Sequence, residues 1–409
     1  MKGKIAYPRS LKSRLQGDLD LYPVVAVMGA RQVGKSTLCR ELAAERGLAY
    51  ETLDEPDTLR AATADPSGFL ERLGDQGAFI DEAQRAPGVF LAVKAIVDRL
   101  DRPGQYLLSG SNQPRISSAV GDSLLGRAVY RTLRPLSLSE LRLSEVHGGW
   151  SFLFDADTNC VMRELEHRAD SSGPLDWRQV VSTGGFPRAV AAPPTQRLDV
   201  LNGYVQAFAS RDIRAVIGVD SVDRFESFLR LSATRVGHPL NHSGLAADLG
   251  ITISTVRRWM DALGRSYLIE LIPPYSRSAG QRVVKAHKLF AVDAAFALAA
   301  SREVEPNGFH LENLVATDLA TWRDDDHTRA VYHWRLQSGQ EVDFIVAQGK
   351  ALLPVEVKTS CAVGRGDARH LKTFLEKHPE ASRAVLLSGD PEIRELGPKV
   401  IGAPWWAVI

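Results

Sequence analysis

Cysteine is scarce in this chain. Cys39, Cys160 and Cys361 lie far apart and form no C-x-x-C pair. That spacing offers neither a disulfide framework nor a zinc site, and it suits a reducing compartment. No stretch reaches the ~18 consecutive apolar residues of a membrane span. Met1 to Leu21 carries charges throughout and has no apolar centre, so it does not read as a secretory leader. The expectation is a cytoplasmic protein with no membrane partner. An excess of charge of one sign is also missing: 50 Lys and Arg face 49 Asp and Glu, a net +1. No global field advertises nucleic acid, and any basic surface must be local. Repeats and low-complexity tracts are absent. With 44% hydrophobic and 24% charged residues the balance is that of a globular protein, and 409 residues predict two or three domains.

What the chain does contain starts at Gly29-Ala-Arg-Gln-Val-Gly34-Lys35-Ser36-Thr37. An apolar run, Val24–Met28, precedes it, and a helical stretch, Lys35–Arg46, follows. Strand, glycine loop and helix in this order fit G-x-x-x-x-G-K-[ST] in full. Gly29 and Gly34 let the loop turn so that the backbone N–H groups of Gln32, Val33 and their neighbours point inward at phosphate oxygens. The helix presents its positive end to the same anion. Lys35 can reach the β- and γ-phosphates, Ser36 can ligate Mg²⁺, and Thr37 completes the motif. ATP or GTP binding is the expectation, with ATP and Mg²⁺ as cofactors.

From residue 21 to about 145, apolar strands alternate with helices. The strands are expected at Val24–Met28, Leu48–Leu53, Ala78–Asp81, Gln105–Ser109 and Ala128–Leu133, with a helix over Pro87–Leu100. This βαβ series implies a parallel sheet covered by helices. Ala78-Phe-Ile-Asp81-Glu82 ends a buried strand in two acids. Asp81 at that edge can join the Mg²⁺ shell, and Glu82 can polarise the attacking water. The alternative is a solvated acidic turn. Ser109-Gly110-Ser111-Asn112 ends the next strand, where a small polar group can sense the γ-phosphate. Ser111 is the first choice and Asn112 the second, against a plain helix-capping turn.

Together, Val27–Leu38, the Phe79–Gln84 box, Ser109-Gly-Ser111, Leu125-Gly126-Arg127, Leu133–Glu140, Gly184-Gly-Phe-Pro187 and Arg211-Asp212-Ile213 resemble a prokaryotic group of AAA-type ATPases that carry an uncharacterised C-terminal domain. The resemblance covers nearly the whole chain. It implies that Arg127 is an arginine finger acting on a neighbouring subunit, and hence a homo-oligomer with nucleotide at its interfaces. It also implies a nucleotide contact from Pro187 in a helical lid, against a simple helix-start turn. Arg211 reads as a lid sensor or, preferably, as a structural ion pair.

Residues 243–263 read as two helices joined by a turn. Gly250 can end the first and Ser254 can cap the second. Val256, Trp259, Met260 and Leu263 should be core, leaving Arg257 and Arg258 outside. The apolar run Tyr267–Ile272 and a basic turn over 276–288, with Arg282, follow like a wing. Ten Lys or Arg face four Asp or Glu over 224–288, an excess suited to a phosphate backbone. DNA is the expected partner, and a packing-only role is the alternative.

Near the C-terminus, Asp343 heads one strand of a hairpin turning at Gln348-Gly349. Glu356 and Lys358 lie two apart on the other strand and so share a face. The pattern resembles the PD-(D/E)xK restriction-endonuclease-like fold. Asp343 and Glu356 could bind Mg²⁺, with Glu312 as a further ligand and Lys358 beside the attacking water. Such domains also persist as folds that do not cut.

The expected fold class is α/β. A P-loop AAA-type core (1–145) is followed by a helical lid (146–235), a winged helix-turn-helix (236–290) and a nuclease-like domain (291–409). The expected function is Mg²⁺-dependent ATP hydrolysis coupled to DNA binding, with DNA cleavage in question. The alternative is a slow nucleotide switch carrying a passive nuclease-like module.

Overall fold

The computed structural model describes residues 7–100, 102–112, 124–142, 149–155, 157–213, 222–276 and 286–409. The chain forms two compact units. The first is Met1–Leu136 with Arg265–Tyr267, and the second is Ser137–Gly264 with Leu268–Ile409.

The first unit is built on a parallel sheet of order β2-β3-β4-β1-β5. Its strands are β1 (Val24–Met28), β2 (Ala49–Thr52), β3 (Ala78–Asp81), β4 (Tyr106–Gly110) and β5 (Ala128–Thr132). Every residue of β1, β3 and β4 is buried, as expected for parallel strands covered on both faces. Their carboxyl ends fall on one edge, side by side, and that edge is where open α/β sheets bind ligands.

Helices α1 (Leu11–Leu21), α2 (Lys35–Arg46), α3 (Pro56–Ala64), α4 (Pro66–Glu71) and α5 (Gly88–Leu100) accompany this sheet. Helix α5 buries Val89, Phe90, Val93 and Val97, one helical face. Helix α1 is held in several ways. Leu15 and Leu19 are fully buried, and Asp18 takes a two-pronged ion pair from Arg131 of β5 at 2.7 and 2.8 Å. Lys12 reaches Glu41 and Glu45 of α2. The exposed pairs are screened by water and add little, so the buried leucines and the Asp18–Arg131 pair do most to fix the helix.

The second unit opens with α6 (Leu138–Leu141). Ser137 and Glu140 close a reciprocal cap over its first turn, which explains the Ser-x-x-Glu spacing. Next come α7 (Thr158–Ser172), α8 (Trp177–Thr183), α9 (Pro187–Val190), α10 (Arg197–Ala207) and α11 (Val222–Ala233). The helix-turn-helix is α12 (His242–Leu249) and α13 (Ile253–Arg265). Gly250 ends α12 at φ 61°. The Thr252 hydroxyl, and not Ser254, accepts the Thr255 N–H at 3.1 Å, because α13 begins two residues earlier than a cap at Ser254 would place it. Strands β6 (Ile269–Ile272) and β7 (Lys288–Ala291) then pair antiparallel.

Helix α14 (Ala294–Ser301) is buried on all sides except its last residue and packs on α8, α10, α11 and α15 (Gly308–Asp324). Within this unit it lies between the helical region and the C-terminal region. A mixed sheet of order β12-β13-β11-β10-β9-β8 completes the unit. Its strands are β8 (Arg329–Arg335), β9 (Glu341–Gln348), β10 (Ala351–Val357), β11 (Ala384–Ser388), β12 (Arg394–Gly397) and β13 (Val400–Pro404), with α16 (Arg369–Lys377) packed on it. Among the described residues no helix is long and apolar enough to cross a membrane.

Candidate nucleotide site and acidic centre

The loop after β1 has the backbone its glycines predict. Gly29 sits at φ 149°, and a Cβ there would lie 2.2 Å from the Leu133 carbonyl oxygen. Gly34 sits at φ 101° as the residue before α2, and Gln32 at φ 63°. Val33 is buried, Ser36 half-buried and Thr37 exposed. The Lys35 ammonium is buried and donates to the carbonyls of Gly29 (2.9 Å) and Ala30 (2.8 Å). Burial lowers its pKa, while Glu82 and Asp81 pull the other way.

Next to the loop, β3 delivers Asp81 and Glu82, and β4 delivers Ser109 and Ser111. The Ser109 hydroxyl donates to Asp81 and also lies 3.3 Å from the Glu82 N–H. Glu82 is in left-handed backbone conformation at φ 56°, ψ 40°, strained for a residue with a Cβ. Its carboxylate accepts from the Ser111 hydroxyl at 3.2 Å and from the Gln84 amide, and Gln84 also donates to Ser111 at 3.2 Å. Ser111, Glu82 and Gln84 thus form a closed triangle. Asn112, the second sensor candidate, accepts instead from Ser266 at 3.1 Å. Gln84 had no assigned role in the sequence reading, although its position two residues after Glu82, in the turn that follows β3, was the available signal.

Arg127 is half-exposed. It pairs with Asp98 at the end of α5 and donates to the Leu125 carbonyl at 3.1 Å. It is therefore engaged within its own unit, where the sequence reading took it as reaching out to a neighbour. In the second unit, Gly184-Gly185-Phe186-Pro187 packs on the start of α14. The Gly185 N–H donates to buried Asp293 at 2.7 Å, and a Cβ on Gly184 would lie 2.6 Å from that of Ala295. The Phe186 ring packs at a tilt against Tyr204 and Phe296, and Pro187 is the first residue of α9. These contacts give the motif a packing reason of its own. The Arg211 side chain and residue Arg282 lie outside the described residues. Arg257 and Arg258 are exposed on α13, opposite buried Val256, Trp259, Met260 and Leu263.

The C-terminal acids do come together. Asp343 lies inside β9 and not at its head, and it accepts the Val357 N–H at 2.9 Å. Lys358 donates to Glu356 at 2.6 Å. Glu356 is buried, its other carboxylate oxygen has no hydrogen-bond partner among the described residues, and burial together with Asp343 pushes its pKa up to about 8.

The residue that sequence reasoning misplaced is Lys288, which it assigned to a basic surface turn. Lys288 is 1% exposed, and its ammonium contacts Glu312 of α15, Glu341 at 3.1 Å and Asp343 at 3.3 Å. Burial alone would discharge it, but the three carboxylates outweigh that and raise its pKa. Asn313, next to Glu312, brackets the backbone of Ala291 with two hydrogen bonds, which draws β7 and Lys288 inward. His333 nearby is neutral, its pKa pushed down to about 4 by burial.

The two oxygen-rich groups differ as homes for a cation. Ser36 and Asp81, a hydroxyl and a carboxylate beside a phosphate loop, are a donor set that suits Mg²⁺. Asp343 and Glu312 already share the Lys288 ammonium. Among the described residues no three His, Cys, Asp or Glu side chains are grouped to hold a metal ion.

Residues 21–142 match the AAA domain family. Residues 175–307 match a domain of unknown function (DUF8612), and 307–406 match another (DUF4143). The chain is similar to uncharacterized proteins of Mycobacterium bovis and Mycobacterium tuberculosis. Each is 27% identical over 362 residues, covering 83% of this chain and 70% of the relative. Among solved structures, it is similar to a Walker-type ATPase of Pyrococcus abyssi (17% identity, TM-score 0.40, 72% of this chain and 96% of that one). It is also similar to AMPPCP-bound DnaA from Aquifex aeolicus (13% identity, TM-score 0.26, 62% and 85%). The family match and the loop-bearing parallel sheet together define the first unit as a P-loop ATPase domain of AAA type.

Proposed function

We propose that the chain binds and hydrolyses Mg-ATP at the β1 loop, as a homo-oligomer, and uses the exposed face of α13 to contact DNA. The observation that carries the reading is the meeting, at one sheet edge, of the Gly29–Thr37 loop, Asp81 and the Glu82–Ser111–Gln84 triangle. Backbone N–H groups of Gln32 to Thr37 would cradle the phosphates. Lys35 would exchange its two carbonyl partners for phosphate oxygens. Ser36 and Asp81 would hold Mg²⁺, which neutralises charge on the phosphates. Glu82 would orient the attacking water once Ser111 and Gln84 give up its carboxylate, and Arg127 would have to leave Asp98 to act on a neighbour. Pro187 is retained as a lid contact only in this proposal. The four-part domain division is likewise a proposal, with the helix-turn-helix and the β6–β7 hairpin as its winged element.

A specific observation favours the passive reading for the acidic centre. Lys288 supplies the cation that Asp343, Glu312 and Glu341 need, so Asp343, Glu356 and Lys358 form a nuclease-like arrangement that does not cut. The test of the main reading is steady-state ATP hydrolysis with and without duplex DNA. Turnover that DNA stimulates supports it, and an absence of turnover in both leaves only the nucleotide switch. Titration calorimetry with Mn²⁺, using Lys288→Met to remove the internal cation, tests the second reading. Metal binding by the wild type at Asp343 and Glu356 would refute it.

A further inference from the structure

We propose that Arg9, in the segment ahead of α1, is a positioning residue for nucleotide binding, holding the Val33–Gly34 peptide so that the Gly34 N–H faces the phosphates. The inference rests on the β1 loop being the nucleotide site. One nitrogen of the Arg9 guanidinium, Nη1, donates to the Val33 carbonyl at 2.7 Å, and the other, Nη2, donates to the Arg134 carbonyl at 2.6 Å. These two carbonyls belong to the phosphate loop and to the segment leaving β5. A planar guanidinium with donors in a fixed fork can join both, whereas a lysine ammonium on its flexible stem is a single point charge.

The geometry of one peptide gives this contact its consequence. In a planar trans peptide the C=O and the N–H point in opposite directions. A Val33 carbonyl pinned to Arg9 therefore turns the N–H of Gly34 away from Arg9. Gly34 is the residue before α2, and its own carbonyl accepts the Leu38 N–H at 3.0 Å, so its N–H stands at the mouth of a helix whose first donors are free for an anion. Arg9 lies against this backbone directly: a Cβ on Gly34 would sit 3.3 Å from Arg9 Nη1. Arg9 is itself held in place, since its carbonyl accepts the Lys12 N–H at 3.0 Å and α1 is docked through the buried side chains of Leu15 and Leu19, which Asp18→Asn leaves intact. Loss of the side chain would free the peptide to rotate, and nucleotide binding would then have to order it.

The test compares the full-length wild type with Arg9→Ala, Arg9→Lys and Asp18→Asn. The last loosens α1 from β5 without touching the loop. Mg-ATP affinity is measured by calorimetry, and the thermal midpoint of the nucleotide-free protein is measured in parallel. A lost hydrogen bond to a charged ligand predicts that Arg9→Ala raises Kd about tenfold or more, with partial recovery in Arg9→Lys and a Kd within about twofold of wild type in Asp18→Asn. Should Arg9→Ala not fold, Arg9→Lys carries the comparison: a raised Kd at an unchanged midpoint supports the inference, and an unchanged Kd overturns it. An Arg9→Ala Kd equal to wild type overturns it, as does an equal rise in Kd for Asp18→Asn, which would make Arg9 merely structural. A wild type that binds no Mg-ATP removes the parent reading, and this proposal with it, a result distinct from binding that is insensitive to Arg9.

Discussion

Glu82 has a side chain of ordinary chemistry in a backbone conformation that usually belongs to glycine or asparagine. The strain persists because Ser109 holds its N–H while Ser111 and Gln84 hold its carboxylate. If Glu82 is the base, Glu82→Gln keeps the shape and loses the proton acceptor. ATP should still bind, and turnover should fall by ~10²-fold or more in a steady-state assay. Unchanged turnover would remove Glu82 from the chemistry. Glu356 makes a second residue-scale claim, about stability and not turnover. Its folded pKa of about 8 lies above the ordinary 4.5. Folding therefore takes up a proton between those values, and stability falls as pH rises from about 4.5 to about 8. Glu312, also raised by burial, acts with the same sign. Unfolding by urea across that range should show a shallower decline for Glu356→Gln than for wild type. Parallel curves would place the proton elsewhere.

At the scale of elements, the turn between α12 and α13 separates two readings of one cap. Thr252→Ala should lose ~1 kcal/mol of stability in urea unfolding, and Ser254→Ala close to nothing. The reverse order would restore the sequence expectation. That slip shows what was legible. The phosphate loop and its flanking strand and helix were legible because strand, glycine turn and helix are contiguous, and each signal is local. The five strands of the parallel sheet followed from apolar runs of the right length, with ends off by a residue. A helix boundary with two hydroxyl residues two positions apart was not legible, since Thr252 and Ser254 both have the chemistry of a cap. Lys288 was read with its basic neighbours as surface. Only the pairing of Asn313 with Ala291 and the approach of Glu312, Glu341 and Asp343 make it a core residue. Arg9 was invisible for the same reason: its carbonyl partners lie 24 and 125 residues away.

At the scale of the whole molecule, the proposal needs a second copy of the chain. Arg127 can serve a neighbour only by exchanging Asp98 for a phosphate, and a half-exposed ion pair of that kind is weak enough to give up. Specific ATPase activity should therefore rise with protein concentration. Arg127→Ala subunits mixed into wild type should depress activity more than dilution explains. Concentration-independent turnover by a monomer would rule out the finger in trans.

Nucleotide binding at the β1 loop is reached most directly by one measurement: thermal or urea stability of wild type and Lys35→Ala with and without Mg-ATP. Binding to the folded state alone stabilises by ~2.7 kcal/mol at a ligand concentration 100 times Kd. Wild type should show that gain, and Lys35→Ala, having lost the ammonium that now rests on the Gly29 and Ala30 carbonyls, should show little of it at the same concentration. No Mg-ATP-dependent gain in wild type, or an equal gain in Lys35→Ala, would contradict the account.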